Sequence, residues 1–322
     1  MLHSTSFFSV VNNLTGTLPS EFGSLIDIKT IGLEHHKGLY GTLPSTIGNL
    51  INLESFSILF SGPNFRGMIP KSLFSIPALK YISLFHNEGV WSFPPTIDSN
   101  GSSKLLGVYM ANTSLSSTLP PYILSFKELK ELNLASNSLE GSIPDFIGKL
   151  SSLQYFSVYD NNLSGTLPSA LSQLTNLTGM VLGKNSFGGL IPSWIGNLSK
   201  LRMLDLSHNK LEGEIPTSFS GMPSLELISL QNNSNLNGSI APFEYVENLA
   251  ALLLYSNNFS SSIPPAIFSN YNATGKRIFA DFGHNSFTGT LPATFSQWAS
   301  NISECITYLN PLAFARVYLV VD

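Results

Sequence analysis

One short motif recurs along this chain. Residues 137–150 read NSLEGSIPDFIGKL, and 24 residues later 161–174 read NNLSGTLPSALSQL, with Asn, Leu, Gly, Pro and a closing Leu in the same places. Anchored on its proline, the motif recurs at Pro19, Pro44, Pro70, Pro95, Pro120, Pro144, Pro168, Pro192 and Pro216. Ala241 then stands in the proline's place, and Pro264 and Pro292 come after it. From Pro120 to Pro216 the step is 24 every time. A chain of 322 residues would ordinarily hold two domains, but a fixed period cancels that count. Units that cannot bury an apolar face alone stack in one dimension, each serving as its neighbour's core.

Upstream of each proline lies a second pattern, Leu-x-x-Leu-x-Leu-x-x-Asn, clearest at Leu201, Leu204, Leu206 and Asn209 and at Leu129, Leu132, Leu134 and Asn137. Together the two halves spell a leucine-rich repeat. The alternation in Leu204-Asp205-Leu206 has period two, so a short strand points both leucines inward and Asp205 outward. Each turn adds one strand to a parallel sheet, and the eleven clear strands from Ile31 to Phe282 predict a sheet roughly 50 Å long at ~4.8 Å per strand. The asparagines Asn137, Asn161, Asn185, Asn209, Asn233, Asn257 and Asn285 form a column where the chain leaves the strand. A carboxamide there both donates and accepts, so it can satisfy buried main chain of neighbouring coils. Leu211 and Ile215 close the core, Gly213 permits a tight bend, and Pro216 prevents a long helix. The segment after each proline makes at most a helical turn of the 3₁₀ kind.

The period is uneven in places. Residues 36–39, 87–90 and 233–236 each carry one extra residue and 61–65 carry two, all on the loop just after the strand. About four more lie within 270–277 and put Arg277 at a normally apolar place. The pattern divides the chain into 1–11, a partial first coil or irregular cap; 12–298, about 12 repeats; and 299–322, irregular. In that last segment Phe314, Val317, Leu319 and Asp322 recover the strand spacing. Solenoids need polar caps, so the abrupt start and stop suggest a piece of a longer repeat protein.

Charged residues are only 11% of the chain, against roughly 25% in ordinary globular proteins. Ser, Asn and Thr keep the surface wet instead, and they create eleven Asn-x-Ser/Thr acceptors: Asn13, Asn100, Asn112, Asn162, Asn176, Asn197, Asn232, Asn237, Asn258, Asn272 and Asn301. Asn112, Asn162, Asn176, Asn197, Asn258 and Asn272 are the leading glycosylation candidates. A net charge of −4 argues against nucleic acid, which needs a basic stripe. Cys305 is the only cysteine, so no internal disulfide forms. The first residues lack the basic start and apolar run of a signal peptide, and no apolar run approaches the ~18 residues of a membrane span.

Nothing looks catalytic. Gly148-Lys149 and Gly275-Lys276 lack the earlier glycine of a phosphate loop, with Ile143 and Asn270 in its place. Neither Gly-x-Ser-x-Gly, His-Glu-x-x-His nor kinase signatures occur, and no cofactor is implied. His35, His86, His208 and His284 share a column just before the asparagine position, yet none is in adjacent coils. The nearest pair stands ~10 Å apart, too far to share a zinc ion with ligands at ~2 Å. The outward sheet positions carry Leu59, Phe60, Tyr81, Phe85 and Tyr109, then Tyr155 and Tyr159, where Ser, Gly, Asn or Asp is usual. Such rings are either a contact patch for peptide, protein or sugar, or filler over the inserted loops. Farther on, Asp205, Gln231, Asn232 and Asp281, with Lys184 and His208, make a polar, mildly acidic half.

With Leu-x-Gly-x-Ile-Pro in its second half, the pattern resembles the plant-type leucine-rich repeats of receptor-like kinase and receptor-like protein ectodomains, and of polygalacturonase-inhibiting proteins. The resemblance covers about residues 12–298. It implies a right-handed α/β-type solenoid whose concave parallel sheet is the ligand face, with short strands and 3₁₀ turns on the convex side. The paired cysteines that usually seal both ends are missing. The function expected is non-catalytic recognition of a peptide or protein, in an extracellular, receptor-like protein whose anchor and output domain lie elsewhere. A secreted inhibitor of a cell-wall hydrolase and an intracellular scaffold are the alternatives. The absent signal peptide favours the scaffold, while the glycan acceptors oppose it.

Overall fold

A computed structural model describes residues 5–97, 104–267 and 279–290. Twelve parallel strands, from Ser6–Val10 to Phe279–Asp281, form one sheet in strict sequence order. The first of them precedes the eleven that the pattern marks most clearly, and it pairs residue for residue with Thr30–Glu34. Register is equally regular in the middle, where Met203, Leu204 and Asp205 lie beside Gly179, Met180 and Val181. Because successive coils keep register, each leucine column becomes a continuous ridge of core. Leu201, Leu204, Leu206 and Leu211 are all fully buried.

Eight of the nine described 3₁₀ turns begin directly after a repeat proline with extended backbone, such as Pro192 at φ −73° and ψ 138°. The proline therefore sets the entry into the turn, and the turn ends on the next large apolar residue, as Ser193–Asn197 ends at Leu198 and Lys71–Ser75 at Ile76. Where Ala241 replaces proline, the turn shrinks to Ala241–Phe243 and starts from Ile240 at φ −95° and ψ 11°. Strands stack at ~4.8 Å while the bulkier turns opposite need more room, which puts the long sheet on the inside of the bend.

A second sheet of seven short strands runs from Ser116–Ser117 to Asn258–Phe259. Before it the described residues form two strand pairs, Thr15–Gly16 with Gly38–Leu39 and Gly67–Met68 with Trp91–Ser92, and one isolated bridge between Gly41 and Phe65. The lengthened turns at 36–39, 61–65 and 87–90 lie in this broken stretch, because extra residues shift the coils out of step. The single extra residue at 233–236 is absorbed, and Asn235–Gly238 pairs on both sides. The insertion at 270–277 and the segment 299–322 lie outside the described residues. No described helix is long and apolar enough to cross a membrane.

Candidate functional site

The asparagine column holds the face of the long sheet in place. Asn209 donates through Nδ2 to the carbonyls of Leu182, Leu206 and Ser207, at 3.2, 3.1 and 3.0 Å, and accepts from the Phe187 amide at 2.9 Å. Asn137, Asn161, Asn185, Asn233, Asn257 and Asn285 repeat the pattern; Asn161, for example, accepts from the Leu139 amide and donates to the Leu134 carbonyl. The column extends farther than the asparagines do. Asn87 bonds the Ser61 amide and the Ile58 carbonyl, and Thr113 occupies the place one coil on. His36, which the sequence assigns to an insertion, fills the asparagine place of its own coil. It is buried with Nδ1 2.6 Å from the Asn12 carbonyl and Nε2 2.9 Å from that of Ser9.

Immediately before this column, His35, Phe60, His86, Asn112, Ser136, Asp160, Lys184, His208, Asn232, Ser256 and His284 all have φ between 50° and 60°. That left-handed turn redirects the chain out of every strand. Asn, Asp and His tolerate it best, which is the physical reason for the histidine column. Phe60 adopts it too, and its ring stacks between His35 and His86 at centroid distances of 4.4 and 5.0 Å. Phe85 meets His86 edge-on at 4.2 Å. These rings pile along the edge of the sheet with the histidines, which gives Phe60 a place different from the inserted loop beside it. The ring of Phe60 also fills the gap between the two nearest histidines.

The remaining aromatics lie down on glycines. A Cβ built on Gly107 would stand 2.7 Å from Tyr109 Cε2 and 2.9 Å from Tyr81 Cδ1, and one on Gly179 would stand 2.6 Å from Tyr155 Cδ2. Tyr81 keeps 40% of its surface exposed and Leu59 is half-buried. Tyr109 donates its hydroxyl to Glu131 Oε2 at 2.7 Å; burial, then the neighbouring carboxylate, raises its pKa well above the usual phenol range. Tyr159 and Asp205, expected to face outward, are each only 7% exposed. Tyr159 lies under the Lys184 ammonium, 5.3 Å from the ring centroid. Asp205 fills the space over Gly183, where a Cβ would be 2.7 Å from its Oδ1, and that oxygen accepts from the Ser207 amide at 2.9 Å. Burial raises the Asp205 pKa despite the Ser207 bonds and the nearby His208 and Lys184 charges. His208 shifts the other way, lowered by burial and then by Lys184.

None of the described glycan acceptors lies within a strand of the long sheet, and Asn112 and Asn232 stand in the left-handed column just past the strands. Asn162 and Asn258 are exposed at the start of second-sheet strands, and Asn197 is exposed at the end of a 3₁₀ turn. Asn176 is partly exposed and bonds the Ser151 carbonyl, and Asn112 stands in the left-handed column against His86. Asn272 lies outside the described residues.

Residues 175–234 match the family described as leucine rich repeat, as do 128–150 and 152–174. Receptor-like protein 6 of Arabidopsis thaliana is 38% identical over 78 residues, which are 24% of this chain and 8% of that protein. Among solved structures, the ectodomain of the Arabidopsis receptor kinase HAESA, in complex with an IDA peptide hormone ligand, superposes with a TM-score of 0.69 at 28% identity. It is matched over 88% of this chain and 50% of its own. A TDR receptor superposes at 0.78 with 25% identity, over 92% of this chain and 50% of its own. The chain thus spans about half the length of these solved receptors. The matches bear out the resemblance to plant leucine-rich repeat ectodomains and the solenoid fold.

Proposed function

We propose that this plant-type leucine-rich repeat solenoid is a non-catalytic module of a receptor-like, cell-surface protein and binds a peptide along its long sheet. The observation that carries the reading is the sheet's outward face. On it twelve strands in register present aromatic side chains around Tyr81 and Tyr109 and, beyond Lys184, polar ones such as Asp205, Ser229 and Gln231 interleaved with apolar ones such as Leu227 and Leu253. Aromatic anchors beside hydrogen-bonding positions suit an extended peptide, whose rings and main chain need both. The similarity to a peptide-hormone receptor ectodomain supports this, and the acceptors at Asn162, Asn197 and Asn258 suit an extracellular setting. A carbohydrate ligand has no support in these relatives.

The test is selection from a displayed library of random, roughly 12-residue peptides, which when extended reach roughly 40 Å, or about eight strands. The expected result is enriched peptides whose binding slows amide exchange along strands between Ser55 and Asp205 and weakens at least about tenfold on Tyr81→Ala. Protection confined to the second sheet and 3₁₀ side, or no enrichment at all, would overturn the reading.

A further inference from the structure

Within the strands from Ser55–Leu59 to Gly179–Val181, the long sheet has one charged residue, Glu131. Its strand neighbours in register are Gly107 on one side and Tyr155 on the other. The Tyr109 and Tyr81 rings meet over Gly107, and the Tyr109 hydroxyl is spent on Glu131 Oε2. Tyr155 tips away over Gly179, so the carboxylate is bordered by rings yet open to solvent. Other carboxylates along the sheet's flank are paired, Glu54 with Lys80 at 2.6 Å and Glu226 with Arg202 at 2.9 Å. No lysine or arginine of the described residues pairs with Glu131, and Oε1 carries no hydrogen bond from the described residues.

An unpaired carboxylate set among electron-rich ring faces is complementary to one class of group. Carboxylate and rings both attract a cation, and the rings also shield the pair from water. An anionic or purely apolar group would instead leave the charge unmatched. Resting on the peptide-binding reading above, we infer that Glu131, Tyr81 and Tyr109 form a subsite for a positively charged peptide side chain, guanidinium or ammonium. Tyr109 is a positioning residue as well as a wall: its hydroxyl holds one oxygen and turns the other outward. Tyr81, the most exposed of the three rings, supplies the cation's second face.

The probes are three blocked tripeptides, Ac-Gly-Arg-Gly-NH₂, Ac-Gly-Lys-Gly-NH₂ and the neutral Ac-Gly-citrulline-Gly-NH₂, titrated against the whole chain and followed by saturation-transfer NMR. The cationic probes should bind at least about tenfold more tightly than the citrulline one, and less so as salt is raised. Glu131→Gln keeps an acceptor for Tyr109 and should abolish that discrimination with an unchanged melting curve. Tyr81→Ala should weaken both cationic probes. Equal binding of all three, or discrimination that survives Glu131→Gln, would overturn the subsite. If library-selected peptides protect the sheet yet lack basic residues and ignore Glu131→Gln, the subsite fails while the peptide-binding function stands.

Discussion

The Tyr155 ring lies on the backbone of Gly179, one strand away, where a side chain would have put its Cβ 2.6 Å from the ring's Cδ2. Gly183, four residues on, is covered in the same manner by Asp205 and Ser207. The two glycines predict different costs. In Gly179→Ala the obstacle is the near edge of a half-buried tyrosine ring that can rotate toward solvent, so stability should change by about 1 kcal/mol or less while the Tyr155 ring resonances move. In Gly183→Ala the obstacles are a buried carboxylate and a hydroxyl, so the cost should reach about 1–3 kcal/mol in urea unfolding. Equal costs at both positions would contradict this account of the face.

Asn209 makes four hydrogen bonds to main chain of two coils. Asn209→Ala leaves the buried Phe187 amide without its partner, while the Leu182 carbonyl keeps its bond from Asn185 Nδ2, and should cost about 1–3 kcal/mol. Urea melts and amide exchange would check it, with faster exchange expected at Phe187 and its neighbours.

Phe60 holds a left-handed φ of 55° while stacked between two histidines. Valine and asparagine both lose the stack, but they differ in how they tolerate that backbone. Phe60→Val should therefore be less stable than Phe60→Asn by about 1 kcal/mol, since a β-branched side chain is disfavoured there and asparagine is not. Equal melting temperatures for the two variants would argue that the strain is negligible.

Asp205 yields a pH signature. Burial raises its folded pKa, so the folded chain holds this proton more tightly than the unfolded chain does. Its contribution to stability is then fully present below the unfolded value and is lost as pH rises through the folded value. Asp205→Asn keeps the acceptor for the Ser207 amide and has no proton to lose. The wild-type Tm minus the Asp205→Asn Tm should fall as pH is raised from about 3 to about 7, where the ordinary carboxylate range is left behind. Calorimetry at both ends would decide it, and a difference that grows with pH would be contrary to the expected sign.

Much of this molecule is legible in the order of its residues, and the reason is local repetition. The proline phase locates the 3₁₀ turns, the leucine spacing locates the strands, and Asn137 to Asn285 announce a hydrogen-bonded column. Each requirement is met within one coil and restated in the next, so the pattern survives in the sequence. Repetition also hides exceptions: His36 doing an asparagine's work is invisible because its coil is one residue too long. The left-handed column leaves only a faint trace, a recurrent histidine. What tertiary structure alone decided is which outward side chains are available. Asp205 and Tyr159 carry the same strand phase as Tyr81, yet two are covered and one is open, because exposure on this face depends on the residue one coil away. That neighbour is Lys184 for Tyr159, Gly183 for Asp205 and Gly107 for Tyr81, each 22 to 26 residues distant in the chain, and only stacking the coils brings them together.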